Sequence, residues 1–357
     1  MHRVNSRFII RPACIAFLMG IFLLIACTNA LSNQELITPN PSATVTTPSP
    51  SSKLPVYSTT QINIDSPTLP PNITPFPTSI LVTPATPEVT LTVLSHSPTV
   101  LSPIDWMNLP VIPTVSQTAR SIYQHGIDMG NDPHAFSKIG DCQSISTYFL
   151  SYFDMPGLYN LGDYSSLQKT IDWYSGSFSR DSLAVKGGFN AAAILSPLRA
   201  DPKQCKPDEN PIMCEFRLHK PSIAIISLEE WWAGHPENYE TYLRRIIEYS
   251  IEQGVVPIIA TKADNLEGNY LINQNIAKLA QEYDIPLWNF WAAVQSLPNH
   301  GLIAVDSSGA VDMFHLTHSE GYYFYNDPAA IQSGWSVRNL TALQALDAVR
   351  RGLTDQP

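Results

Sequence analysis

Two short segments, far apart in the chain, carry residue types that together could break an acyl bond. The first contains Gly140, Asp141 and Cys142, and the second contains Asp312 and His315. A thiolate is a nucleophile, a histidine can take its proton and return it to a leaving group, and an aspartate can orient the imidazole. A separation of three residues lets Asp312 and His315 face one cleft. Cys142, Asp312 and His315 are therefore candidates for nucleophile, orienting acid and base in such a reaction.

Each candidate also has a purely structural interpretation. Cys142 could be a small buried apolar side chain, since cysteine is among the most buried residue types. His315 could be a structural loop histidine, and the turn around His300 favours structure for that histidine. Trp288 and Trp291 flank a predicted strand end and could stack on a sugar, although core packing is favoured for both.

The sequence around and between the two motifs alternates between strand patterns and helix patterns. Almost unbroken apolar runs predict strands buried on both faces, which is typical of parallel sheets covered by helices. Apolar residues at three-to-four spacing predict helices with one face turned to a core. The predicted strands are 135–139, 222–228, 255–260 and 286–290, and the predicted helices are 236–253, 270–283 and 339–351. This alternation predicts a three-layer α/β/α sandwich with a parallel, flavodoxin-like sheet.

Both motifs fall where such a sheet binds ligands, beyond the carboxyl ends of the strands. Together they resemble the SGNH/GDSL hydrolase superfamily. In that superfamily a Gly-Asp-Ser after the first strand supplies the nucleophile, and an Asp-x-x-His near the C-terminus supplies the other two residues. The resemblance extends over the element order of 115–357, with Cys142 in place of the serine. It implies a Cys142–His315–Asp312 catalytic triad. It also implies hydrolysis of carboxylic esters or thioesters, with acylated glycans or small molecules as substrates.

The resemblance also implies an oxyanion hole. Its second block corresponds to the segment around Gly187, Gly188 and Asn190, where either glycine could donate an amide and Asn190 its side chain. The third block departs from the superfamily, because 229–232 reads Glu-Glu-Trp-Trp where Gly-Thr-Asn-Asp is usual. Loss of one oxyanion donor typically costs about 100–1000-fold in turnover. A catalytically degenerate surface module that binds glycan or peptide therefore stays open as the alternative.

Composition excludes other classes of function. The chain has 21 Lys and Arg against 31 Asp and Glu, for a net charge of -10, and no basic run. Nucleic acid is therefore excluded as a partner, because phosphate binding needs a basic footprint. Cys205 and Cys214 lack a second close Cys or His pair, and no Gly-rich phosphate loop is present. We expect neither a metal nor an organic cofactor.

The N-terminus predicts export. Three arginines precede a mostly apolar run at 13–26 that is too short to span a bilayer comfortably. The run ends in Leu-Ile-Ala before Cys27, which resembles a bacterial lipobox. Residues 1–26 would then be a signal peptide, and Cys27 would carry a lipid that anchors the protein to the membrane. An uncleaved anchor, or cleavage elsewhere, is the other interpretation.

The rest of the chain divides into two regions. Residues 27–114 are rich in proline, serine and threonine, which predicts a disordered, lipid-anchored stalk rather than a folded β-domain. Residues 115–357 form the predicted catalytic domain, held on the extracellular side. In an oxidising compartment Cys205 and Cys214 are expected to pair, and Cys142 would then stay a thiol.

Overall fold

The computed structural model describes residues 105–228 and 237–355. The predicted signal peptide, Cys27 and the predicted stalk as far as residue 104 lie outside the described residues, as does the Glu-Glu-Trp-Trp block at 229–232. Within the described part, no helix combines the length and the apolar character that a membrane crossing requires.

Four parallel strands, taken over the described residues, form one sheet in the order β1-β2-β3-β4. They are β1 Asp132–Gly140, β2 Pro221–Ser227, β3 Val256–Ala260 and β4 Leu287–Trp288. Every residue of β2 and β3 is buried, which explains why both appear in the sequence as continuous apolar runs. The four predicted strands are confirmed, with ends that differ by a few residues.

One further segment lies beside β1, on the side away from β2. Gly140 forms a parallel bridge with Val185, and the Gly140 amide donates to the Ala184 carbonyl at 3.0 Å. With this segment counted as the second strand of the chain, the order becomes 2-1-3-4-5, which is the flavodoxin-like order. The predicted fold class is confirmed, although this edge strand is reduced to a single bridge.

Eight α-helices lie within the described ranges. They are α1 Gln117–Asp128, α2 Gln168–Trp173, α3 Ala191–Ile194, α4 Pro211–His219, α5 Glu237–Glu252, α6 Leu271–Glu282, α7 Phe290–Val294 and α8 Gly334–Thr354. Helices α1 and α8 contact each other and the sheet, while α4, α5 and α6 form a second group that packs on β1 and β3. The predicted apolar face of α5 is buried at Tyr239, Leu243, Ile246 and Ile247.

Helix α8 begins five residues before its predicted start at Asn339. Its N-cap is Ser333, whose side-chain oxygen accepts the Ser336 amide. The additional first turns contain the buried residues Trp335 and Arg338. The leucine spacing used for the sequence prediction did not reach these turns, because the residues there are polar, small or aromatic.

The segment before α8 is an antiparallel hairpin rather than a simple loop. Leu302 pairs with Leu316, and Val305 pairs with Val311. At the tip, the Asp306 carboxylate accepts hydrogen bonds from the amide and hydroxyl of Ser308 and from the Ala310 amide. The return arm of this hairpin carries Asp312 and His315.

Two further segments are tied to the folded part of the chain, one by a hydrogen bond and one by a disulfide. Trp106 is buried, and its carbonyl accepts a hydrogen bond from the Asn289 side chain at 3.1 Å, so the packed residues begin upstream of residue 115. Cys205 and Cys214 form a disulfide with a Cα–Cα distance of 5.3 Å, which ties the preceding loop to α4.

The ends of β1 and β2 pack so closely at Gly140 that a side chain there would collide with its neighbours. A Cβ at this position would lie 2.4 Å from the Ser227 carbonyl oxygen and 2.1 Å from Ser144 Oγ. The backbone carbonyl cannot easily move, so we expect Gly140→Ala to lower the free energy of unfolding by about 1–3 kcal/mol. Urea unfolding measures the change. Gly187→Ala is the matched control, because its Cβ would meet Cys142 Cβ at an ordinary 3.9 Å, and equal losses in the two variants would contradict the prediction.

Candidate active site

Cys142 lies at the carboxyl end of β1, as the sequence predicted for the nucleophile position. It begins a 3-10 turn, Cys142–Ser144, and its side chain is half-buried. The preceding residue, Asp141, is fully buried and accepts the Gln143 amide on its carboxylate at 2.9 Å. The sharp change from strand to turn sets Cys142 beyond the sheet edge, where a ligand can approach.

Asp312 and His315 contact each other directly on the hairpin. The His315 Nδ1 atom lies 2.9 Å from Asp312 Oδ2 and 3.1 Å from Oδ1. The His315 backbone amide also donates to Oδ1 at 2.8 Å. Because the carboxylate accepts the Nδ1 proton, the Nε2 atom is left as the basic nitrogen. The His315 side chain is 44% exposed and that of Asp312 is 11% exposed, so the ring can reach a ligand while the carboxylate is shielded.

One hydrogen bond joins the two motifs. Gln143, the residue after Cys142, donates from Nε2 to the carbonyl of Phe314, the residue before His315, at 3.0 Å. The nucleophile turn and the hairpin are therefore in contact, although about 170 residues separate them in the sequence. The structure thus brings the residues next to Cys142 and His315 into contact.

The second block lies on the other side of the nucleophile. Gly187 is close to Cys142, and the Lys186 amide bonds the Gly140 carbonyl at 3.4 Å. Gly188 has a φ of +79°, a conformation that glycine adopts at little cost. Gly187 therefore lies beside the candidate nucleophile.

Asn190 has a structural task in this arrangement. Its Oδ1 caps α3 by accepting the Ala193 amide at 2.9 Å. Such a cap orients the side chain and leaves the amide nitrogen as its available donor. The third block, at 229–232, lies outside the described residues.

Burial and local hydrogen bonds set the charges near the site. Burial raises the pKa of Asp312, but hydrogen bonds from the His315 amide and ring and from the Phe314 amide outweigh it, and the pKa lies below 3.8. Burial lowers the pKa of Lys138, four residues before Cys142, to about 7. Asp312 is thus ionised at neutral pH and available to stabilise an imidazolium.

The remaining aromatic and histidine candidates have other surroundings. Trp288, the last residue of β4, is fully buried, in agreement with core packing. Trp291 packs edge-on against Trp106 at 5.0 Å. His300 is exposed in a turn, and its ring bonds the Gln295 carbonyl at 3.3 Å.

Sequence reasoning missed Gln143 and Arg338. The Arg338 guanidinium is fully buried and donates to the Gln143 carbonyl at 3.2 Å and to Ser227 Oγ at 2.9 Å. Gln143 directly follows Cys142 in the sequence and could have been noticed there. Nothing in the sequence marks Arg338, since it lies almost 200 residues away in a turn outside the predicted helix.

Comparisons with known proteins add little. No family model matches this chain, and no curated protein is significantly similar to it. A solved structure described as an acetyl xylan esterase, AlAXEase, aligns with 58% of this chain and 96% of its own, at 13% identity and a TM-score of 0.32. A TM-score of that size does not establish a common fold or activity.

The depressed pKa of Asp312 predicts a pH-dependent contribution to stability. An acid whose folded pKa lies below its unfolded value stabilises the fold above the unfolded pKa, and this stabilisation is lost as the pH falls through the folded pKa. We therefore expect Asp312→Asn to lower the free energy of unfolding at neutral pH, and the gap from wild type to narrow below about pH 4. Urea unfolding of both chains between about pH 7 and pH 3 measures the gap. A gap that is constant over this range would contradict the prediction.

Proposed function

We propose that this protein is an exported, lipid-anchored hydrolase of the SGNH type, which cleaves carboxylic ester or thioester bonds with a Cys142–His315–Asp312 triad. The observation that carries the proposal is the hydrogen bond between Gln143 and the Phe314 carbonyl, which joins the neighbours of Cys142 and His315. The close Asp312–His315 contact supports it, because that contact presents the Nε2 atom as a base.

In the first half of the reaction, His315 Nε2 takes the proton of the Cys142 thiol. The sulfur forms a bond to the acyl carbon, and the carbonyl oxygen becomes an oxyanion, to which the amide of Gly187 or Gly188 can donate. The intermediate collapses, the carbon–oxygen or carbon–sulfur bond to the leaving group breaks, and the imidazolium returns its proton to that group. Asp312 stabilises the imidazolium while it is charged.

In the second half, water replaces the leaving group. His315 takes a proton from a water molecule, the resulting oxygen nucleophile attacks the thioester carbon, and the Cys142 sulfur leaves with that proton. The products are a carboxylic acid and the alcohol or thiol released in the first half. Every proton therefore passes through His315, and the reaction requires neither a metal nor an organic cofactor.

The predicted location suggests the kind of substrate. A domain on a long stalk outside the cell would reach acyl groups on surface glycans, or small esters in the medium. The strongly acidic balance of the chain, with a net charge of -10, makes neutral acylated substrates better suited than polyanions.

The decisive experiment compares the full-length wild type with Cys142→Ala and His315→Ala on an activated acetyl ester and an activated thioester. We expect wild type to hydrolyse at least one of them. We expect both variants to lose at least about 100-fold in kcat/KM, because general-base catalysis alone contributes roughly 100–10,000-fold.

His300→Ala is the matched control, since the ring of this exposed histidine bonds the Gln295 carbonyl, at the end of α7. It should keep the wild-type rate. Hydrolysis that is indifferent to both triad substitutions would contradict the proposal. Absence of hydrolysis, together with glycan or peptide binding that survives Cys142→Ala, would favour the degenerate binding module.

The membrane anchor is tested separately. If Cys27 is lipidated, the protein labels with a fatty-acid analogue and sediments with the membrane fraction. Cys27→Ala should abolish the label, because no thiol remains at the lipobox position. Fatty-acid labelling that persists in Cys27→Ala would overturn the predicted site of lipidation.

A further inference from the structure

Arg338 is a charged side chain in an apolar part of the core. It is 0% exposed, and its guanidinium lies over the rings of Phe149 at 4.8 Å, Phe290 at 5.1 Å and Trp288 at 5.5 Å. Aromatic faces attract a desolvated guanidinium, which offsets part of the cost of removing it from water. The rings also restrict where the guanidinium can move.

Among the described contacts of Arg338, hydrogen bonds to Gln143 and Ser227 direct this group toward the carboxyl ends of the strands. Nε donates to the Gln143 carbonyl at 3.2 Å, and Nη2 donates to Ser227 Oγ at 2.9 Å. Ser227 is the last residue of β2, and its carbonyl in turn accepts Ser144 Oγ at 3.2 Å. Arg338 thus joins the final helix to the end of β2 and to the turn that follows β1.

Gln143 connects the same group to the rest of the site. It is 1% exposed, its amide donates to Asp141, its carbonyl accepts from Arg338, and its side chain donates to Phe314. The backbone of Gln143 is therefore held by Asp141 and Arg338, and its side chain is held by the hairpin. A turn held in this way has little freedom to rotate.

We propose that Gln143 and Arg338 are positioning residues, which together hold the Cys142 turn at a fixed distance from the His315 hairpin. Arg338 fixes the backbone of the turn, and Gln143 transmits that position to the residue before His315. Displacement of a reacting group by about 1 Å can cost on the order of 100-fold in rate. The inference uses the triad of the proposed function, but it concerns the geometry between Cys142 and His315 and does not depend on the substrate.

The test measures the rate at which iodoacetamide alkylates Cys142 in the full-length chain, followed by mass spectrometry of the peptide that contains it. Gln143→Met keeps the length of the side chain and removes the Nε2 donor. Arg338→Lys keeps the charge and removes the planar guanidinium. We expect each substitution to lower the alkylation rate about 10-fold, because a thiol displaced from His315 is ionised less often.

A double-mutant cycle separates positioning from a general loss of stability. His315→Ala should slow alkylation strongly in wild type and little in the Gln143→Met background, because the base is already out of place there. Equal effects of His315→Ala in both backgrounds would overturn the proposal. An alkylation rate that is unchanged in both Gln143→Met and Arg338→Lys would also overturn it.

Arg350→Lys is the matched control. Arg350 is also a buried arginine of α8, and it donates to Thr170 Oγ1 at 2.9 Å, away from the strand ends of the site. It should keep the wild-type alkylation rate even if it lowers stability as much as Arg338→Lys, and an equal rate loss in the two would overturn the proposal. If no ester is hydrolysed but the effects of Gln143→Met and His315→Ala on alkylation are coupled, the positioning inference stands and the proposed hydrolysis fails. If esters are hydrolysed but the two effects are independent, the proposed hydrolysis stands and the positioning inference fails.

Discussion

The ends of β1 and β2 approach each other so closely that only a residue without a side chain fits between them. A Cβ on Gly140 would lie only 2.4 Å from the Ser227 carbonyl oxygen and 2.1 Å from Ser144 Oγ, which itself bonds that carbonyl. The chain after Gly140 therefore turns directly over the end of β2. This contact decides where Cys142 stands, because the turn has no room to move back toward the sheet.

The hairpin holds a histidine and its carboxylate in a fixed arrangement on an exposed segment. Ile303 and Met313 bond across the arms, and the Ile303 amide donates to the His315 carbonyl at 2.8 Å. Met313 has a φ of +54°, a left-handed conformation that costs a residue with a side chain of order 1 kcal/mol or more. The Asp312 carboxylate accepts the amides of Phe314 and His315, and these bonds offset that cost while they set the imidazole beside the carboxylate.

Much of the fold could be predicted because burial leaves a clear pattern. The runs that became β2 and β3 are apolar throughout, since helices cover both faces of the sheet. The spacing in α5 marks one buried face. The edge strand at Val185 and the first turns of α8 could not be predicted. One is a single bridge with no run of its own, and the other is buried without a periodic aliphatic stripe.

The sequence by itself determined the chemistry that is available: a cysteine after a strand, and an aspartate three residues before a histidine. Such local patterns can be recognised in the sequence, because residues that are neighbours in the chain keep their spacing in any fold. Only the tertiary structure decided that Gln143 meets Phe314 and that Arg338 reaches Gln143, since these contacts join segments more than 150 residues apart. A hydrogen bond needs its two atoms within about 3 Å, and no spacing along the chain encodes that distance when the partners come from opposite ends of a domain.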